Sequence, residues 1–262
     1  MVARRWDKSC EIISNKRICS DYFELKIKSP LFAGKCVPGQ FFMITVPGVF
    51  LRRPISVHDC RKNYVTFLYK VAGKGTKILS EIKNGEIALL GPLGNGYDLK
   101  LPKNSAPVIV AGGTGIASVH FLAVKLKRSG TLFYGAGSKK DLLCLGQFKK
   151  LGWKTVLATD DGSKGHKGFV TEILEKEITN YELRITNKKT AIKPILYACG
   201  PAPMLKKVLK IARDRGVKGY VSLEEKMACG IGNCQGCAVK INGVNKMTCK
   251  DGPVFKIEEA EL

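Results

Sequence analysis

Long apolar runs, clustered basic charge and histidine are all scarce in this sequence, and each scarcity removes a class of function. The longest apolar stretch, FFMITVPGVFL, is far short of a bilayer span and is broken by Pro47 and Gly48, so no membrane crossing is expected. The opening residues MVARRWDKSC contain no apolar h-region, which predicts a chain without an export signal that stays in the cytoplasm. Histidine occurs three times, scattered, and no nucleophile motif or paired-carboxylate arrangement accompanies it. Acid–base or covalent chemistry on a substrate is therefore not expected here. His58, close to the segment RRPIS, reads as polar packing rather than as a catalyst.

The formal net charge is +22 with a pI near 9.6, yet no basic run exceeds two residues. A nucleic-acid surface needs its basic residues concentrated on one face. Lysines spread along the whole chain predict a solvated cationic surface and no nucleic-acid partner. Internal repeats and low-complexity linkers are also missing.

Cysteine, by contrast, is plentiful: ten residues. A reducing cytosol argues against a disulfide framework. Four of the ten, Cys229, Cys234, Cys237 and Cys249, crowd into the glycine-dense segment MACGIGNCQGCAVKINGVNKMTC. Their spacing, C-x4-C-x2-C followed by a more distant cysteine, is that of a plant-type [2Fe–2S] cluster. Structural zinc more often takes two separated C-x2-C pairs or adds histidines, and the nearest preceding histidine is His166. Glycines 230, 232 and 236 let the backbone wrap the sulfurs and aim N–H groups at them. Zinc and plain packing remain the alternatives. Cysteines 10, 19, 36, 60 and 144 show no pattern and read as structural.

The chain divides into three stretches. Residues 1–100 read as strands: Phe23, Leu25 and Ile27 alternate with charged residues, QFFMITV and GEIALLG are short apolar runs, and Val65, Phe67, Tyr69 and Val71 alternate again. Turn signals between them predict a small antiparallel barrel or sandwich. Over 101–219 strand-like runs such as VIVAGG, TLFYGAG, KTVLATDDG and PILYACGP alternate with helical spacing, which predicts a parallel α/β sheet. In the last helix Met204, Val208 and Ile211 share a face beside Leu205 and Leu209. Residues 220–262, with the cysteines, form an appendage too small to own a large core.

Two glycine-rich turns lie at strand ends. Gly112, Gly113 and Gly115 of VIVAGGTGIAS sit between a strand and a helix, where a phosphate can approach exposed N–H groups. Cys199, Gly200 and Pro201 of YACGPAPM repeat that geometry, and Asp160, followed by Asp161, ends another strand on the same edge. These carboxylates could meet ribose or simply cap a turn. Ser138, Lys139 and Lys140 follow the second strand, where a basic residue can accept a 2′-phosphate. In the first stretch, LRRPISV offers Arg53 as a fork and Ser56 as a hydroxyl donor for a pyrophosphate, or a charged strand edge blocked by Pro54. YKVAGKGT offers an aromatic and then a glycine-flexed turn ending at Thr76.

Taken together, RRPIS, GKGT, GPLGNGY, AGGTGIAS, YACGP and the C-terminal cysteines resemble the ferredoxin-NADP reductase superfamily. More narrowly, SLEEKMACGIGNCQGCAVK…CKDGPVF, with LRRPIS and TDDGS…KGFVTE, resembles the family of electron-transfer subunits of type B dihydroorotate dehydrogenase, over nearly the whole chain. The resemblance implies FAD on the barrel, with Arg53, Pro54, Ile55 and Ser56 at the flavin and its phosphates. It places Leu68, Tyr69 and Lys70 beside the flavin, and Gly75 and Thr76 at the pyrophosphate. It implies NAD at the α/β sheet, near Cys199, and a [2Fe–2S] cluster on Cys229, Cys234, Cys237 and Cys249. It further implies a partner, an FMN-containing dihydroorotate dehydrogenase subunit in a heterotetramer of two of each chain, serving pyrimidine biosynthesis. Two positions depart from the superfamily: Ile55 stands where an aromatic is usual, and Ser118 where proline is usual. A nicotinamide exchanges two electrons at once and a cluster exchanges one, so a flavin able to do both belongs between them. Other partners, a hydrogenase or a ferredoxin-linked transhydrogenase, fit the same cofactors. A cluster-sensing regulator that binds nucleic acid would need neither the flavin segment nor the second glycine turn.

Overall fold

The computed structural model describes residues 6–32, 34–185 and 192–262. The first third closes into a six-stranded antiparallel barrel made of β1 (Trp6–Cys19), β2 (Tyr22–Lys28), β3 (Phe41–Ile44), β4 (Arg53–Cys60), β5 (Tyr64–Lys70) and β6 (Glu86–Leu93), in the order β1-β2-β5-β4-β3-β6. Helix α1 (Lys74–Glu81) links β5 to β6. Alternation on β2 does what its sequence demands: Phe23, Leu25 and Ile27 are buried while Lys28 is exposed. Phe42 anchors the barrel core, meeting Phe32 and Phe67 edge-on at 4.9 and 5.5 Å.

The second part is an α/β sheet. Its elements are β7 (Ser105–Gly112), α2 (Ile116–Lys125), β8 (Thr131–Ala136), α3 (Leu145–Lys150), β9 (Lys154–Thr159), β10 (His166–Lys167), α4 (Val170–Ile185), β11 (Lys193–Cys199), α5 (Ala202–Asp214) and β12 (Gly219–Ser222). From β7 the chain steps outward through β8 and β9 to β10, then returns to the other side of β7 to lay down β11 and β12, all parallel. The order reverses between β7 and β11, the place where open parallel sheets bind ligands at their carboxyl edge. Both faces of the sheet are covered. Val108, Val110 and Leu196 pack with Leu205, Val208 and Leu209 of α5, and Ile109, Leu132 and Tyr197 pack with α2 and Phe148 of α3. On α5 the expected apolar face is buried, with Lys206 and Lys210 left exposed.

The C-terminal stretch contains β13 (Ala238–Ile241), β14 (Val244–Met247), β15 (Val254–Lys256) and β16 (Ala260–Glu261). The sequence read this stretch as an appendage too small to own a large core, and its apolar residues pack on the rest of the chain. β15 pairs antiparallel with β12 and becomes the seventh strand of the large sheet, and Val239, Ile241, Phe255 and Ile257 join the core beneath α4 and α5. A second set of contacts ties it to the barrel: the Asn95 amide donates to the Gly252 carbonyl at 2.6 Å, and Asn95 Nδ2 to the Asp251 carbonyl at 2.8 Å. This is the role of GPLGNGY. A Cβ on Gly94 would sit 2.6 Å from Pro253 and 2.7 Å from the Gly252 carbonyl.

Barrel and sheet meet where α2 lies on β4. Here His58 and His120 stack at 4.3 Å. His58 Nδ1 donates to the Ala117 carbonyl at 3.0 Å and His120 Nδ1 to the His58 carbonyl at 3.2 Å. Carbonyls only accept, so both rings carry their proton on Nδ1. Burial lowers the pKa of both, that of His58 to about 4. His58 is buried at this seam, where the sequence had left surface and core packing both open.

Candidate functional site

Two clefts and one cysteine loop converge on the carboxyl edge of the sheet. The first cleft, about 360 Å³, lies between barrel and sheet. Pairing of β4 with β5 runs from Cys60↔Val65 to Val57↔Phe67, so Arg53–Ser56 and Leu68–Lys70 leave the ladder side by side at one end. All seven line this cleft, and Thr76 of α1 joins them. The expected glycine-flexed turn is in fact the start of a helix. Gly73 caps it, and Thr76 Oγ1 accepts from the Ala72 and Gly73 amides at 2.9 and 3.2 Å. Gly75 is buried under the Arg53 guanidinium, where a Cβ would lie 2.7 Å from Arg53 Cζ. A guanidinium laid across a helix N-terminus with no acidic residue in its first turn combines a fork with free N–H groups, which suits a pyrophosphate. The cradle fits a dinucleotide such as FAD. Tyr69 is held at its hydroxyl by Asn15 Oδ1 at 3.1 Å, and burial pushes its phenol up to about 12.

Sequence reasoning missed the opposite wall. Ser222, Leu223, Glu224, Glu225, Met227 and Pro253 come from the C-terminal stretch, and Phe41 comes from β3. The C-terminal residues reach the cleft only through β12 and β15, so no local motif announces them, whereas Phe41 is set beside Ser56 by the pairing of β3 with β4; GPLGNGY, which packs on Pro253, was the available signal.

The second cleft, about 610 Å³, opens over the ends of β7, β8 and β9. Gly112, Gly113, Asp160 and Pro201 line it, as do Gly135–Gly137 and, from the α4 entry, Phe169 and Glu172. Phe169 is 66% exposed, an unusual placement for a large apolar ring. Gly115, Cys199 and Gly200 do not line either cleft. Gly115 and Gly200 are places of close backbone packing. A Cβ on Gly115 would land on the Cys199 carbonyl, and one on Gly200 would come within 2.9 Å of the Gly112 amide nitrogen. The two glycine turns thus interlock across the point of strand reversal, and Cys199 is 1% exposed beneath them with its pKa raised by burial. Among the lining side chains, Lys207 is ion-paired with Glu175 at 2.9 Å. Two carboxylates, Asp160 and Glu172, face the same space.

In the cysteine loop, Cys237 and Cys249 are buried against Phe41, Met43 and Leu93 of the barrel, while Cys234 is exposed. Among the described residues no three cysteine, histidine or acidic side chains stand together at metal-holding distance. The thiols meet as two pairs, Cys229 with Cys234 and Cys237 with Cys249. Burial pushes the Cys229 thiol up, but the Cys234, Ile231 and Asn233 amides outweigh it and bring it down to about 6. The Ile231 and Cys234 amides donate to its sulfur at 3.4 and 3.5 Å. Gly230 and Gly232 have φ of 70° and 87°, and a Cβ on Gly230 would press 2.5 Å from Met43. Four thiols, no histidine and backbone donors aimed at sulfur form a donor set that fits an iron–sulfur cluster. Phe41 and Met227 border both this loop and the first cleft, so one layer of side chains separates them.

Comparison with known proteins assigns two segments of the chain and its fold. Residues 224–261 match the model of the iron–sulfur cluster binding domain of dihydroorotate dehydrogenase B, and residues 109–210 match the oxidoreductase NAD-binding domain. The chain is 41% identical to the dihydroorotate dehydrogenase B (NAD(+)) electron transfer subunit of Caldanaerobacter subterraneus subsp. tengcongensis, covering 97% of this chain and 98% of that one. The subunit of the same name from Fusobacterium nucleatum subsp. nucleatum is 38% identical over 97% and 98% of the two chains. Among solved structures, a chain of an NADH-dependent reduced ferredoxin-NADP oxidoreductase superposes with a TM-score of 0.81 at 32% identity, over 96% of this chain and 89% of that one. A ferredoxin-NADP+ reductase from Plasmodium falciparum, at 19% identity and a TM-score of 0.63, shares the fold.

Proposed function

Because the chain belongs to the family of electron transfer subunits of dihydroorotate dehydrogenase B, we propose that it links dihydroorotate oxidation on a partner catalytic subunit to NAD+, using a [2Fe–2S] cluster and FAD as its own cofactors. This places it in pyrimidine biosynthesis. The partner in this reading carries FMN and assembles with the chain as two of each, in the cytoplasm; no helix among the described residues is long and apolar enough to cross a membrane.

The observation that carries the reading is the shared wall. Phe41 and Met227 bring the cysteine loop within one side-chain layer of the first cleft, and Thr114 and Ala117 bring the nucleotide turn to its other side. We assign residues 1–100 to flavin binding, 101–219 to nicotinamide binding and 220–262 to the cluster. Arg53 and the α1 N-terminus hold the flavin pyrophosphate; Pro54–Ser56 and Leu68–Lys70 seat the rest of the molecule. Ile55, standing in place of an aromatic, supplies an apolar contact without ring stacking. Gly112 and Gly113 admit the nicotinamide dinucleotide phosphates. Asp160 meets a ribose, and its charge, with that of Glu172, disfavours a 2′-phosphate. Cys229, Cys234, Cys237 and Cys249 ligate the cluster. When bound, the flavin supplies the conversion between hydride transfer and single electrons.

The test is an anaerobic absorbance spectrum of the purified chain with iron and sulfide assays, before and after NADH. Flavin bands over a broad iron–sulfur absorption, both bleached by NADH, are expected; a colourless zinc protein would overturn the reading. The structural likeness to the reduced ferredoxin-NADP oxidoreductase chain favours a second reading, in which the same cofactors serve a ferredoxin-linked partner. NADH-dependent reduction of ferredoxin, without stimulation by a dihydroorotate-oxidising subunit, would select it.

A further inference from the structure

The two ends of the flavin cleft are built on different elements: Tyr69 on β5, and Thr76 with the Arg53–Gly75 contact at the start of α1. A single buried side chain joins them. Asn15 of β1, 4% exposed, donates through Nδ2 to the carbonyls of Leu79 and Ile82 at 2.7 and 2.9 Å, and accepts through Oδ1 from the Tyr69 hydroxyl at 3.1 Å. Leu79 and the C-cap Ile82 end α1, where carbonyls lack their i+4 amide partners; the Leu79 carbonyl takes a long 3.3 Å bond from the Ile82 amide, and the Asn15 carboxamide adds the shorter one. The amide orientation is fixed by chemistry: only an N–H group can satisfy two carbonyls, and a neutral phenol brings its O–H to the remaining oxygen. Phe23, stacked on the Tyr69 ring at 5.8 Å, closes the other side.

We propose that Asn15 is a positioning residue of the flavin cleft, one carboxamide that fixes α1 and Tyr69 relative to each other and so sets the span between the phosphate end and the β5 wall. It touches no cofactor itself. The inference rests on reading this cleft as the flavin site. Nothing in the local sequence marks Asn15, which lies 54 residues from Tyr69 and 64 from Leu79.

The experiment measures flavin release from the purified holoprotein, followed as the rise in free-flavin fluorescence after dilution, with cluster absorption as an internal control for folding and visible circular dichroism reporting the bound flavin. Asn15→Leu removes both arms and should speed release by roughly tenfold or more, whereas Tyr69→Phe removes one hydrogen bond and should speed it by roughly fivefold. Asn15→Asp keeps an acceptor for Tyr69 but loses both donations to α1. Adding Tyr69→Phe should therefore change nothing in the Asn15→Leu background and should still speed release in the Asn15→Asp background. Each variant that releases flavin faster should also alter its visible circular dichroism while the cluster absorption stays intact. Should Asn15→Leu fail to fold, the Asn15→Asp and Tyr69→Phe variants carry the same comparison. Unchanged release in the Asn15 variants, or independent multiplication of the Asn15→Leu and Tyr69→Phe effects, overturns the inference. Arg53→Ala separates the two levels: if it speeds release and the Asn15 variants do not, the inference alone fails. If Arg53→Ala also leaves release unchanged, the cleft is not the flavin site.

Discussion

Acid should loosen the seam between barrel and sheet, and the stacked pair His58 and His120 sets how much. His58 is 2% exposed, its Nδ1–H is committed to the Ala117 carbonyl, and its other face lies on a second imidazole. Burial first, then the neighbouring His120, lowers its pKa from 6.5 to about 4. A base whose folded pKa lies below its unfolded value is neutral in the fold and binds a proton on unfolding. Its contribution is therefore fully present above the unfolded value near 6.5 and is lost as pH falls from there towards 4. With these two values, going from about pH 7 to about pH 5 costs about 2 kcal/mol from His58 alone. His120, lowered in the same direction by its own burial, adds to the loss. The assay is urea unfolding of the holoprotein at both pH values, read by tryptophan fluorescence. Trp153 is well placed to report it: it is buried and meets Phe148 edge-on at 6.0 Å, and Phe148 meets His120 at 5.8 Å. His58→Phe keeps an aromatic ring on His120, loses the Ala117 bond and cannot titrate. The variant should be less stable at neutral pH yet lose about 2 kcal/mol less on acidification. If wild type and variant lose the same stability between the two pH values, the reasoning from burial and tautomer is wrong.

Three further outcomes follow from the site. Gly115→Ala drives a Cβ into the Cys199 carbonyl, which is backbone and cannot swing aside; it should cost about 1–3 kcal/mol of stability and weaken NADH binding, measured by thermal unfolding and by titration of flavin reduction. Asp160→Ala removes one of the two carboxylates from the nucleotide cleft, so the ratio of kcat/KM for NADPH to that for NADH should rise by about tenfold, one lost charge repulsion; an unchanged ratio would place the 2′-position elsewhere. Cys237→Ser, at a buried thiol against Phe41 and Met43, should abolish bound iron and sulfide while the flavin stays bound, and loss of both cofactors together would show that the cysteine loop is needed to close the first cleft.

The fold was largely legible because its signals are local. Alternation at Phe23, Leu25 and Ile27 marks a barrel strand, and apolar runs ending in glycine before helical spacing mark parallel crossover units. That Arg53–Ser56 and Leu68–Lys70 line one cleft was legible in the same way, since they are continuous segments of two paired strands. What escaped depends on long-range closure. Glycines read as a turn at 73–75 begin α1, because Thr76 caps the Ala72 and Gly73 amides. That Gly115 and Gly200 also let two backbone turns interlock around Cys199 is not visible in either local motif. Met227 and Pro253 come to the first cleft only after β15 has joined β12.

That last pairing explains why the cysteine segment is folded into the body rather than hung from it. A relay of single electrons needs its groups held at fixed, short separation. A terminal stretch of this size with no core of its own could not hold such a separation by itself. The chain meets the requirement by dividing the segment between two anchors. β15 and the residues around it join the sheet and share the core beneath α4 and α5. Cys237 and Cys249 pack on the barrel, and Asn95 clamps Asp251 and Gly252 from the barrel side. Barrel and sheet are themselves locked through β4 and α2. The cysteine loop therefore cannot move relative to the flavin cleft without breaking one anchor or shearing the histidine seam. Acidification and Asn95→Ala should for this reason converge on one phenotype, slower internal reduction of the cluster by NADH, although they act on different anchors.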